Sequence, residues 1–228
     1  MNIINKPYFN GSAIKWLWPG SVSILLLWMP SSATAQVRDI PVEVFVGNRA
    51  IAHQMYLTKY TDSNSRFGYF GYLRIETPYL DRKKSIFLGQ SLFFYDVFKG
   101  VSLAGGGYIT SAGFMPQLAI AYGRNVGNLS LTVFASYEPV KPANSEIFAL
   151  ISYSPPLNKR GNWRLFTQLI GSYNFSYKKN LRYNFANQYL RLGLSYDDWQ
   201  FGLATDLVQE NNVGLLPTNS GLFLRRLL

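Results

Sequence analysis

The sequence predicts an all-β chain wound into an antiparallel up-and-down barrel, and three observations carry that expectation. The first is alternation. Leu190, Leu192, Leu194 and Tyr196 are interleaved with Tyr189, Arg191, Gly193 and Ser195. After Asp197-Asp198 the pattern resumes, with Trp199, Phe201 and Leu203 set against Gln200, Gly202 and Ala204. A strand turns successive side chains to opposite faces, so this stretch makes a hairpin with one apolar and one polar face. The second is the lack of helical periodicity beyond the first 36 residues. The third is an aromatic content of 16%, which suits strand ends lying at two membrane interfaces. With the apolar face turned to lipid, the fold class is a transmembrane barrel. A soluble two-sheet sandwich is the alternative that alternation alone also allows.

Hydropathy excludes a helical membrane protein. The chain is 48% hydrophobic, yet its mean hydropathy is only -0.01. Membrane-spanning helices need runs of about 20 apolar residues, whereas the longest run here is Ile24 to Met29. That run lies in a segment with the order of a secretory signal. Lys6 and Lys15 form a basic start, Val22 to Met29 a short apolar core, and Ala33-Thr34-Ala35 a small-residue cleavage pattern before Gln36. The expected organisation is a signal peptide over residues 1–35 and a barrel domain over residues 36–228.

Turn chemistry divides the rest into short alternating runs. In chain order these are Val42 to Val46 and Ile51 to Tyr60 about a tight turn at Gly47-Asn48, then Phe67 to Glu76, Ile86 to Val97 and Val101 to Thr110. Next come Phe114 to Gly123, Asn128 to Tyr137, Ser145 to Tyr153 and Trp163 to Asn174. Asn187 to Tyr196, Trp199 to Val208 and Thr218 to Leu228 complete the set. Twelve strands satisfy the even-number rule with both termini at one end. Ten is the alternative, if Ser111-Ala112-Gly113 is only a kink or Val42 to Val46 lies outside the wall. Connectors are expected to alternate long and short, with Ser111 to Gly113 as the exception. The tract Gly105-Gly106-Gly107 falls inside a strand and lacks the GxxxxGK[ST] phosphate-loop pattern, so it predicts curvature or close backbone approach.

Signal segment, alternating strands, aromatic enrichment and a terminal strand after Gly221 together make the chain resemble bacterial outer-membrane β-barrel proteins. The resemblance covers residues 40–228 and is architectural. At the C-terminus, Leu222, Leu224 and Leu228 keep the alternation, but Arg226 interrupts it and Leu replaces the usual final aromatic residue. The resemblance implies an outer-membrane location. Its implied partners are outer-membrane lipids, lipopolysaccharide and the barrel assembly machinery.

Composition narrows the chemistry. Cysteine is absent, which removes thiolate metal sites and disulfide frameworks. One histidine, His53, rules out a multi-histidine metal site, and no carboxylate cluster has ligand spacing. No cofactor is expected. Net charge is +10, or about +8 once Lys6 and Lys15 leave with the signal. Turn residues such as Arg82, Lys83, Lys84, Lys159, Arg160, Lys178 and Lys179 account for much of it. The chain has no basic helix or module for nucleic acid.

Three functions compete. If leucines face lipid, then Arg74, Glu76, Arg164, Gln168, Arg191 and Asp206 face the lumen, with Tyr189, Ser195 and Gln200. Inward guanidinium groups predict porin-like passage or binding of small polar solutes, anionic ones included. A wall plugged by paired charges, whose loops bind a partner protein or lipopolysaccharide, is the second reading. Phe70, Tyr72, Phe148, Leu150, Phe166 and Ile170 would help to fill it. The third is a lipid-modifying enzyme in which His53 meets a hydroxyl from Ser91, Ser102 or Ser136. Paired carboxylates for glycoside hydrolysis would have to come from Glu76, Asp96, Glu138, Glu146, Asp197, Asp198 or Asp206.

Overall fold

The structure is a computed structural model that describes residues 40–228 apart from 63, 112, 141–142, 178–181 and 211–213. The expected signal segment, Lys178 and Lys179 lie outside the described residues.

Alternation becomes a wall. The strands are β1 (Pro41–Gly47), β2 (Ala50–Tyr60), β3 (Phe67–Pro78), β4 (Ile86–Phe98), β5 (Val101–Thr110) and β6 (Gly113–Val126). They continue as β7 (Leu129–Glu138), β8 (Asn144–Tyr153), β9 (Trp163–Ser176), β10 (Arg182–Tyr196) and β11 (Trp199–Glu210). A two-residue strand, β12 (Gly214–Leu215), pairs only with the end of β11, and β13 (Asn219–Leu227) follows it. Each wall strand pairs antiparallel with its neighbour, β11 with β13, and β13 with β1, so a ring of twelve strands closes without a free edge. The ten-strand alternative is thereby excluded. Ser111 marks a true reversal, since Thr110 pairs with Gly113, and β1 is part of the wall through Val42↔Met55 and Val42↔Arg226.

Closure assigns the two faces. Large apolar residues such as Leu103, Leu118, Ile120, Leu192, Leu203, Leu222 and Leu224 are exposed on the outside. Aromatic residues bracket this aliphatic belt. Phe67, Tyr95, Tyr153, Trp163, Tyr196 and Trp199 gather at the end that carries Ile40 and Leu228, the terminal end. Tyr79, Phe87, Phe114, Tyr137, Tyr173 and Tyr177 gather at the far end. Trp163 and Tyr173 are separated by ten positions of β9. At about 3.3 Å per residue and a tilt of about 40°, that is roughly 25 Å along the axis, the height of a barrel's lipid-facing band. Arg226 takes an outward place by lying 5.4 Å over the Trp199 ring.

Connector length follows the expected alternation only in part. Asp197-Asp198 is the two-residue turn expected, with Asp197 in the left-handed region at φ 46°. Residues 61–66 and 154–162 make long connections at the terminal end, and Asn48-Arg49 a short one at the far end.

The glycine tract brings neighbouring strands close. β5 keeps an unbroken register through it, Gly106 opposite Leu92 and Gln117. A Cβ at Gly106 would sit 2.1 Å from the Ser91 carbonyl oxygen, whereas one at Gly123 would meet no atom within 4 Å. Gly106→Ala is therefore expected to destabilise the barrel by about 1–3 kcal/mol and Gly123→Ala to leave it nearly unchanged. Urea unfolding in detergent micelles, read by mobility of unheated samples on gels, compares the two.

Candidate functional site: the lumen

Inward side chains have only one another to contact, so their order follows from register. Glu43 of β1 stands opposite Gln54 of β2 and Arg225 of β13. Its Oε1 accepts from Gln54 Nε2 and Arg191 Nε, each at 2.8 Å, and its Oε2 accepts from Arg225 Nε at 3.0 Å and from Arg225 Nη2. The Arg191 Nη1 atom donates to Asp206 Oδ1 at 2.7 Å. Asp206 Oδ2 accepts from Arg74 Nη2 at 2.5 Å, and that same nitrogen reaches Glu76 Oε2. Gln54 Oε1 closes a loop by accepting from Arg74 Nη1 at 3.0 Å. Arg225 Nη2 extends the network to Gln168 Oε1 at 2.7 Å, and Gln168 Nε2 donates to the Tyr56 hydroxyl at 2.7 Å. Rings cover the guanidinium faces: Tyr189 lies 4.0 Å from Arg74, Phe45 4.8 Å from Arg191 and Phe166 4.9 Å from Arg225.

This network carries three cations and three carboxylates, Arg74, Arg191 and Arg225 against Glu43, Glu76 and Asp206. Glu43, Arg74 and Arg225 are at most 2% exposed. Buried charge is tolerated only when paired and hydrogen-bonded, and here the balance is even.

The wall from β3 to β9 contributes an apolar counterpart. Phe70, Tyr72, Leu92, Phe94, Phe134, Phe148, Leu150 and Ile170 form one cluster. Phe134 stacks on Phe148 with ring centres 4.5 Å apart, and Phe70 meets both edge-on at 5.8 and 6.1 Å. These contacts cross the lumen. β3 and β8, joined by Phe70 and Phe148, stand five strands apart in the ring, as do β2 and β9, joined by Tyr56 and Gln168. Among the described residues, two cavities at opposite ends of the lumen have no lining residue in common. One of about 140 Å³ at the terminal end is lined by Tyr60, Phe94, Asp96, Ser102 and Thr132, among others. The other, about 260 Å³ at the far end, is lined by residues that include Tyr72, Arg74, Glu76, Tyr108, Glu146 and Tyr189.

Of the expected lumen residues, Arg74, Glu76, Gln168, Arg191 and Asp206 meet in this one network. Arg164 stands apart. It faces inward at the terminal mouth, opposite Ser195, and donates to Ser154 and to Asn128 Oδ1 at 2.9 Å. Sequence reasoning missed Glu43, Gln54 and Arg225, the hub of the network. The signals were present: Glu43 is the lone charge in an apolar run, and outward Leu222 and Leu224 set Arg225 inward. His53 turns to the outer face, between Val44 and Ile75, while Ser102 and Ser136 are buried on the inner face. Ser91 lies on β4, beyond β3, and its hydroxyl donates to Tyr69. No His53–serine site therefore forms. Among the hydrolase carboxylates, Asp197 and Asp198 sit in a turn, and Asp96 accepts from Tyr60 and Ser102.

A solved structure described as the NanC porin in a rhombohedral crystal form superimposes with a TM-score of 0.52 at 9% identity, over 83% of this chain and 98% of that one. The fold is porin-like. A second structure, titled for the in-meso crystallization of membrane proteins, reaches a TM-score of 0.39 at 13% identity over 84% of each chain. No protein-family description and no curated protein matches the sequence.

Removing the central charge should expose the network's dependence on it. Glu43→Gln leaves Arg191 and Arg225 facing an uncharged partner, and breaking a buried pair this way costs about 3–5 kcal/mol. The expected outcome is a clearly lower urea midpoint in detergent, with Arg164→Gln, at the mouth, nearly unchanged.

Proposed function

We propose that this porin-like barrel resides in a bacterial outer membrane, with its terminal end periplasmic, and is closed at mid-height between two vestibules that bind small polar solutes. The observation that carries this reading is the set of bridges across the lumen, Phe70 to Phe148, Tyr56 to Gln168 and Arg74 to Asp206. A free-diffusion pore needs a continuous water path, and the two cavities share no lining residue. Location is supported by the two aromatic girdles, by the signal-like N-terminus and by the habit of bacterial barrels to keep both termini in the periplasm.

Anion preference loses its physical basis at the constriction. Guanidinium rings attract anions when their charge is free, whereas Arg74, Arg191 and Arg225 are each bonded to a carboxylate. Passage through the middle requires those bridges to part, so the closed state resists leakage. The same plugged wall serves the reading in which loops hold a partner. Arg82, Lys83 and Lys84, exposed together in a 3-10 turn at the far end, favour the phosphates of lipopolysaccharide for that role. Outer-membrane lipids and the assembly machinery complete the proposed partners.

Planar-bilayer recording with purified protein tests closure. Wild type is expected to show no stable conductance, and Phe134→Ala with Phe148→Ala to open one, provided gel mobility shows that the variant is folded. A steady wild-type conductance would overturn the reading.

A further inference from the structure

Charge on the outer face of the barrel is one-sided. The carboxylates carried by β1, β3, β4, β7, β8 and β11 all take inward positions. Among the described side chains, the charged residues that strands turn outward are cations, Lys59 of β2, Arg124 of β6 and Arg226 of β13. Register fixes each of them. Lys59 stands opposite outward Tyr69, Arg124 opposite outward Leu131, and Arg226 opposite outward Val42 and Trp199. All three lie within two residues of the terminal end of their strands, in the aromatic girdle. They are exposed, and no ion pair of the described residues includes them. The turns of the same rim add Arg66, Lys99, Lys159 and Arg160 against Asp62, Asp197 and Asp198.

A lipid-facing charge has no water at mid-height, but at the rim it meets headgroups, where lysine and arginine cost little. The side-chain stem lies along the apolar wall and the charged head reaches the phosphate level. A rim whose outward strand charges are all positive complements an anionic headgroup layer. We infer that the terminal rim is a docking surface for anionic glycerophospholipid, whose phosphates accept from Lys59, Arg124 and Arg226 while its acyl chains lie on the aliphatic belt. Outward Leu57 and Leu224 continue the face from Lys59 and Arg226 toward mid-height, a contact that a free phosphate ion could not use. The inference deepens the lipid partnership proposed above and rests on its membrane location. It concerns the opposite end of the barrel from Arg82, Lys83 and Lys84.

Native mass spectrometry of the full chain, released from neutral dodecyl maltoside micelles, tests it with dioleoylphosphatidylglycerol as the probe. Dioleoylphosphatidylcholine, whose phosphate is balanced by its own ammonium group, is the reference, and glycerol 3-phosphate supplies phosphate without chains. Wild type is expected to hold phosphatidylglycerol about fivefold or more tighter than phosphatidylcholine, the effect of one cation near an anionic surface, and to hold no glycerol phosphate. Lys59→Gln/Arg124→Gln/Arg226→Gln should bring the two lipids level. The charge-keeping Lys59→Arg/Arg124→Lys/Arg226→Lys should retain the preference, as should Arg82→Gln/Lys83→Gln/Lys84→Gln at the far end. Gel mobility checks that each variant is folded, and the wild-type comparison stands without them. Equal affinity of wild type for the two lipids would overturn the inference, as would glycerol phosphate held as tightly as phosphatidylglycerol. So would a folded neutral variant that keeps the preference, or a folded charge-keeping or far-end variant that loses it. Micelles have no leaflets, so a barrel found the other way up in cells refutes the proposed orientation and leaves this result unchanged. A steady wild-type conductance likewise refutes closure alone.

Discussion

The Glu43 carboxylate, gripped by Arg191 and Arg225 inside a closed ring of strands, is the contact on which the rest of the lumen depends. A barrel wall gives an inward charge no route to bulk solvent except along the axis. Each ion must then find its opposite on another inward strand position. Glu43 does so twice, and its two arginines pass the requirement on, Arg191 to Asp206 and Arg225 to Gln168. Asp206 then draws in Arg74, from β3, four strands away around the ring. The result ties together strands that share no ladder. Such a network stabilises only while complete, because one missing partner leaves a buried charge uncompensated.

The aromatic cluster does the same work with different physics. Phe70, Phe134 and Phe148 join the β3 wall to β7 and β8 through ring contacts that need no charge. Side by side, the ionic and apolar blocks fill the middle of a twelve-strand ring. Barrels of about eight strands are filled by side chains and those of 16 to 18 leave channels. This chain sits between those limits and is filled by large residues. Among the described residues, space is left at the ends, where the wall carries smaller inward residues such as Ser102, Ala104 and Ala121 at one and Thr110 and Ser172 at the other.

Outside, the constraint is reversed. Aliphatic residues form the belt, aromatic residues its two rims, and the lone histidine belongs to this face. That placement, one residue out of phase with Ala52 and Gln54, separates His53 from the buried serines by the thickness of the wall. In a strand, a shift of a single position decides between lumen and lipid.

Alternation by itself determined that the chain is all-β and where most of its strands lie, and, once its leucines are turned to lipid, the inward phase of Arg74, Glu76, Arg191 and Asp206. Those are local properties, since a period of two and a turn between runs can be read without knowing which strand lies beside which. The choice of barrel over sandwich and of twelve strands over ten was left to the structure. Tertiary structure alone decided that β1 and β13 close the ring, that Glu43 and Arg225 form its centre, and that Arg164 stands outside the network. It also decided that the lumen arginines meet carboxylates from other strands, Arg74 and Arg191 at Asp206 and Arg191 and Arg225 at Glu43. The physical reason is that pairing depends on register around a closed sheet, where residues far apart in the chain, such as Glu43 and Arg225, become cross-strand neighbours.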